Sequence, residues 1–78
     1  MKDYKVTWEI PSIRRTHVEI LDVMDIDEIF ARYRMRMPEA FFESVCTLKK
    51  GESVTFAFPE TTDKITVTAL EDIQPPPF

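Results

Sequence analysis

Hydrophobic and polar positions alternate strictly at the start of the chain. In YKVTWEI, Tyr4, Val6, Trp8 and Ile10 point one way and Lys5, Thr7 and Glu9 the other. This period of two, carried by β-branched and aromatic residues, predicts a half-buried strand. Pro11 and Ser12 punctuate the chain. IRRTHVEIL, residues 13–21, then reads as a second strand with Thr16, Val18 and Ile20 on one face. The two strands predict a hairpin. Its register is left open by the pattern, because a slip of one residue exchanges the faces.

From Asp22 onward the period lengthens. Ile26, Ile29, Phe30, Tyr33 and Met37 recur at helical spacing, with Asp25, Asp27 and Glu28 near the start. Asp25 is the expected N-cap, and acids in a first turn complement the helix dipole. Arg32, Arg34 and Arg36 come near the other end, where cations suit the C-terminal partial charge. Glu28 and Arg32 stand four apart in the favourable orientation. Pro38 then biases Met37 toward extended backbone. PEAFFESVCTLKKG predicts a second helix whose apolar face is Phe41, Phe42, Val45 and Leu48. Proline in its first turn, and Lys49 and Lys50 before Gly51, frame its ends. Gly51 is the single glycine of the chain, which points to a backbone geometry other residues resist.

SVTFAF (53–58) and KITVTAL (64–70) both alternate and are joined by PETTD, a hairpin with a loop longer than two residues. QPPPF at the end predicts an extended tail of polyproline type. The pattern contains no internal repeat and no dividing linker. The expected architecture is therefore α+β: a four-stranded antiparallel sheet in β-β-α-α-β-β order, with two short helices packed on one face. Residues 1–73 make a single domain and 74–78 a Pro-rich tail.

Composition sharpens this picture. The 78 residues are near the lower limit for a domain that folds without help, and 44% of them are hydrophobic. Six Phe, two Tyr, one Trp and four Met can fill a small core and leave apolar area for a partner or a second subunit. Cys46 is the one cysteine, so an internal disulfide is excluded and the cytosol is the expected compartment. The start of the chain predicts no signal peptide, and no stretch approaches the ~20 apolar residues of a membrane span. Net charge is −4, and such a field opposes non-specific contact with phosphate.

Candidate chemistry is sparse. His17 is the sole histidine and lies inside a predicted strand, while Cys46 falls on the apolar side of the second helix, where a free cysteine behaves as a small hydrophobe. No local signature supports a Cys/His nucleophile. One glycine cannot build a phosphate cradle, and Cys/His metal clusters are absent by count. The run Glu19, Asp22, Asp25, Asp27 and Glu28 lacks the ordered spacing of a calcium loop. No catalytic residue, cofactor or metal is expected. The acidic run and the three arginines are instead the expected contact surface for a protein partner.

The stretch RYRMRMPEAFFESV is locally similar to ribbon-helix-helix DNA-binding proteins, in which an alternating strand precedes Pro-Glu and an amphipathic helix. The resemblance covers about fifteen residues and departs from the family where a second helix is needed, since GESVTFAF is strongly β. It implies a basic ribbon of Arg32, Arg34 and Arg36 reaching base edges as part of a dimer. On the helical spacing Arg32 and Arg36 share a face, and Arg34 points about 200° away from Arg32. The residues as a whole predict a non-enzymatic protein-interaction module, a regulator or inhibitor of a larger protein, of the kind encoded by viruses and mobile elements. The surface named is Asp22, Asp25, Asp27, Glu28, Arg32, Arg34 and Arg36. A DNA-binding regulator is the alternative.

Overall fold

A computed structural model describes residues 4–70. The boundary expected at 73 and the tail at 74–78 lie outside the described residues. Strands β1 (Tyr4–Ile10), β2 (Arg15–Leu21), β3 (Ser53–Ala57) and β4 (Lys64–Ala69) form one antiparallel sheet in the order β2-β1-β4-β3. Helices α1 (Val23–Ala31) and α2 (Glu39–Thr47) separate the two hairpins in sequence. The architecture is the expected α+β arrangement, with both helices on one sheet face. No helix among the described residues is long and apolar enough to cross a membrane.

Register decides which face is buried. Val6 lies opposite Glu19 of β2 and Val67 of β4, and Trp8 opposite His17 and Ile65. Tyr4 and Val6 therefore share a buried layer with Ile65, Val67 and Ala69, and this layer receives Ile26, Ile29 and Phe30 from α1 and Phe41 and Val45 from α2. At its centre Phe30 is fully buried, its ring centroid 5.0 Å from those of Phe56 and Phe58 and 5.5 Å from that of Phe41.

The hairpin β1–β2 forms as expected, with a 3-10 turn over Pro11–Ile13 and Arg14 in the left-handed region at its end. Thr16, Val18 and Ile20 do share a face, but it is the uncovered one. They stand beside Lys5, Thr7 and Glu9, away from the helices. On that face Thr55 and Thr66 hydrogen-bond at 3.0 Å, Ser53 and Thr68 at 2.7 Å, and Lys64 meets Glu9 at 3.4 Å. Cross-strand pairs of this kind let a sheet face meet water without exposing unsatisfied groups.

Both helices are shorter than the periodicity suggests. α1 stops at Ala31, not at Met37, and is followed by a turn over 32–34. α2 ends at Thr47, so Lys49 and Lys50 lie beyond its last turn. Gly51 serves a different purpose from a helix cap. Its φ is +86°, and the Glu52 amide donates to the Lys49 carbonyl at 2.9 Å, closing a tight turn. The Gly51 amide donates to the Ala69 carbonyl, and the Ala69 amide to the Glu52 carbonyl. Two residues thus oppose one, a bulge with glycine at its first position that turns the chain into β3.

Candidate functional site

The loop between α1 and α2 borders an indented surface. α1 ends in paired bonds: the Arg34 amide donates to the Ala31 carbonyl at 3.0 Å and the Met35 amide to the Phe30 carbonyl at 3.4 Å. With Arg34 at φ +56°, this is a Schellman-type stop. Met35 folds back against the core, as a residue in that position commonly does. The Met37 amide donates to Asp27 Oδ1 at 3.4 Å, which ties the connection back onto α1. Pro38 holds extended backbone (φ −58°, ψ 141°), and α2 starts at Glu39.

Between the two helices lies an open groove of about 730 Å³. Val23, Met24, Met37 and Phe42 supply its apolar lining, and Asp27, Glu28, Arg36 and Glu39 its charges. Met24 is 78% exposed and Phe42 42% exposed. Phe42 was expected on the buried face of α2, but adjacent helical residues are about 100° apart. Phe41 takes the inward direction, and Phe42 is left on the groove side.

A second, smaller groove of about 310 Å³ runs between α1 and β2, lined by Trp8, Glu19, Asp25, Glu28 and Arg32, with Leu21 and Ile29. The Arg32 guanidinium lies 5.6 Å from the Trp8 ring centroid, within cation–π range. Its expected ion pair with Glu28 does not form: no Glu28–Arg32 contact lies within 4.0 Å. Arg32 follows the last helical residue and turns toward the Trp8 face instead.

The seven residues expected to make one surface are therefore divided. Asp27, Glu28 and Arg36 line the larger groove, while Asp25, Glu28 and Arg32 line the smaller one, with Glu28 on the ridge between them. Asp22 belongs to neither. It is the N-cap of α1, accepting from the Asp25 amide at 2.9 Å, so the expected cap at Asp25 is corrected by three residues. The reason is that the helix starts one turn earlier than the acidic run suggests. Arg34 is a helix terminator and lines neither groove. Glycine relieves the left-handed strain at such a position. Arg34→Gly is thus expected to leave thermal stability unchanged or raise it by a few degrees, with no loss at either groove, as a melting curve would show.

The extended ribbon implied for Arg32, Arg34 and Arg36 is absent, because these residues follow a helix end and a turn. His17 and Cys46 are not brought together either. His17 contacts Trp8, its centroid 5.6 Å from the Trp8 ring, whereas Cys46 acts on Tyr4, four residues away along β1 or about 13 Å. Burial first, and then Cys46, push the Tyr4 phenol above its ordinary pKa. No group of three or more His, Cys, Asp or Glu among the described residues is placed to hold a metal ion.

One polar cluster braces the end of α1. Trp8 Nε1 donates to Tyr33 Oη at 2.8 Å, and Tyr33 Oη donates to Asp63 Oδ2 at 2.6 Å. The Tyr33 ring also stacks on Phe58 with centroids 3.8 Å apart. Burial, followed by the bond to Asp63, pushes the Tyr33 phenol up to about 12. The helix end, β1 and the β3–β4 loop are joined through this one side chain.

Val23, Met24, Met37, Glu39 and Phe42 are the groove residues that sequence reasoning did not assign to a contact surface. The available signals were the Phe41-Phe42 pair, which one helix face cannot bury together, and a methionine inside an acidic run. Comparison with protein-family models, curated proteins and solved structures finds no match.

Proposed function

We propose that this chain is a non-enzymatic protein-interaction module, a regulator or inhibitor that seats part of a larger protein in the groove between α1 and α2. The observation that carries the reading is the pairing of exposed Met24 and Phe42 with a rim of Asp27, Glu28, Arg36 and Glu39. Methionine, arginine and aromatic side chains are the types enriched at interface cores, and polar groups form the rim around them. Three carboxylates against one guanidinium favour a partner segment that is apolar and basic.

Tagged wild-type chain and the double variant Met24→Asp/Phe42→Asp test this by parallel capture from lysate, with mass spectrometry and direct titration of the recovered protein. The wild type is expected to retain a stoichiometric partner. The double variant should bind it about 30-fold more weakly or worse, as for loss of a central anchor. Both altered side chains are exposed, so circular dichroism should be unchanged. Equal recovery by the two chains, or no stoichiometric partner for either, defeats the reading.

A further inference from the structure

β2 is an edge strand of seven residues, and every residue from 11 to 20 is exposed. Edge strands in natural proteins are blunted by charged side chains, lysine above all, by proline, by a bulge or by a covering segment. RTHVEIL contains neither lysine nor proline, its two charged side chains Arg15 and Glu19 are of opposite sign, and it pairs with β1 residue for residue without a bulge. No described segment pairs with its outer side. Val18 and Ile20, 53% and 56% exposed, stand on its uncovered face.

We propose that β2 pairs antiparallel with β2 of a second copy of this chain, about a two-fold axis through Val18, so that the two four-stranded sheets become one. The occupant is specified by the strand's own residue order. With Val18 on the axis, His17 stands opposite Glu19 of the second copy, and the pair occurs twice by symmetry. Val18 meets Val18, and Thr16 meets Ile20, which covers the apolar side chains of the open face. Arg15 meets Leu21, so the whole strand is used. Both sets of helices lie on the same side of the joined sheet, because residues directly opposite in an antiparallel pair share a face. An axis at Glu19 would set Glu19 against Glu19. An axis at His17 would pair Arg15 with Glu19 but leave Ile20 and Leu21 outside the matched strands.

The test is the mass of the full chain in solution, by sedimentation equilibrium across roughly 10 μM to 1 mM, the range suited to a small interface. The mass is expected to rise from 9.2 kDa toward twice that value. His17→Glu sets glutamates opposite one another and should weaken association about tenfold, since each unfavourable pair occurs twice. The double variant His17→Glu/Glu19→His restores facing pairs and should recover the dimer. Val18→Lys, on an exposed face, places two ammonium groups at the axis and should leave only the 9.2 kDa species with unchanged circular dichroism. A 9.2 kDa species throughout for the wild type overturns the proposal. So does a dimer indifferent to Val18→Lys, a double variant that fails to recover, or a wild-type monomer that instead takes up an extended peptide along β2. Met24→Asp/Phe42→Asp should dimerise normally, which separates this interface from the groove.

Discussion

Replacing Phe30 with alanine is expected to remove most of the stability of the fold. Phe30 is fully buried and sits among Phe41, Phe56 and Phe58, all with ring centroids within 5.5 Å. Truncation removes its transfer free energy and leaves a cavity walled by three rings that cannot all close on it. Phe→Ala changes of this kind cost about 3–5 kcal/mol, and small domains have only about 5–15 kcal/mol in total. This chain is at the lower end of domain size, so most of its stability would be lost. Phe30→Leu, which keeps much of the volume, should cost clearly less. Urea unfolding followed by the fluorescence of Trp8, the one tryptophan, provides the measurement. A midpoint shift no larger for alanine than for leucine would show that Phe30 is not the keystone of the core.

Tyr33→Phe is expected to lower the melting temperature by roughly 5–15 °C, corresponding to about 1–2 kcal/mol in a domain of this size. The ring and its stacking on Phe58 are retained, but Trp8 Nε1 loses its acceptor and Asp63 loses its short donor. Water replaces some of both, since the cluster is only partly buried. The same hydroxyl gives an alkaline signature. An unfolded chain releases the phenolic proton near pH 10, whereas the folded chain holds it to about 12. Between these values the folded state binds more protons, so this contribution to stability is complete below pH 10 and lost as pH rises through 12. Tyr4, also raised by burial, adds to the same fall. Tyr33→Phe should therefore make stability decline less steeply over this window, without flattening it. Identical slopes for the two proteins would exclude Tyr33 as the source.

How much of the molecule was legible differs from element to element. β1 ends where its alternation ends, and both hairpins and both helices occur in the order the pattern predicts. The end of α1 was hidden because Tyr33 keeps the helical period after the helix has stopped. It is half-buried by the bonds to Trp8 and Asp63 and by stacking on Phe58, contacts 25 to 30 residues apart in sequence. Gly51 announced an unusual backbone, and φ +86° bears that out, but its place in a bulge follows from the pairing with Ala69. For the candidate site, Asp27, Glu28 and Arg36 were named from charge alone and line the larger groove. Met24 and Phe42 were passed over because local hydrophobicity marks a residue as apolar without saying which apolar residues remain uncovered.

The sequence by itself determined the two hairpins, the two helices and their order, because periods of two and of 3.6 are local properties read from neighbouring side chains. Only the tertiary structure decided which face of β2 meets water, where α1 stops, and which charges share a groove. Those outcomes depend on register and on contacts between distant segments, where Val6 opposite Glu19, or Asp27 beside Met37, settles a competition that neither segment decides alone.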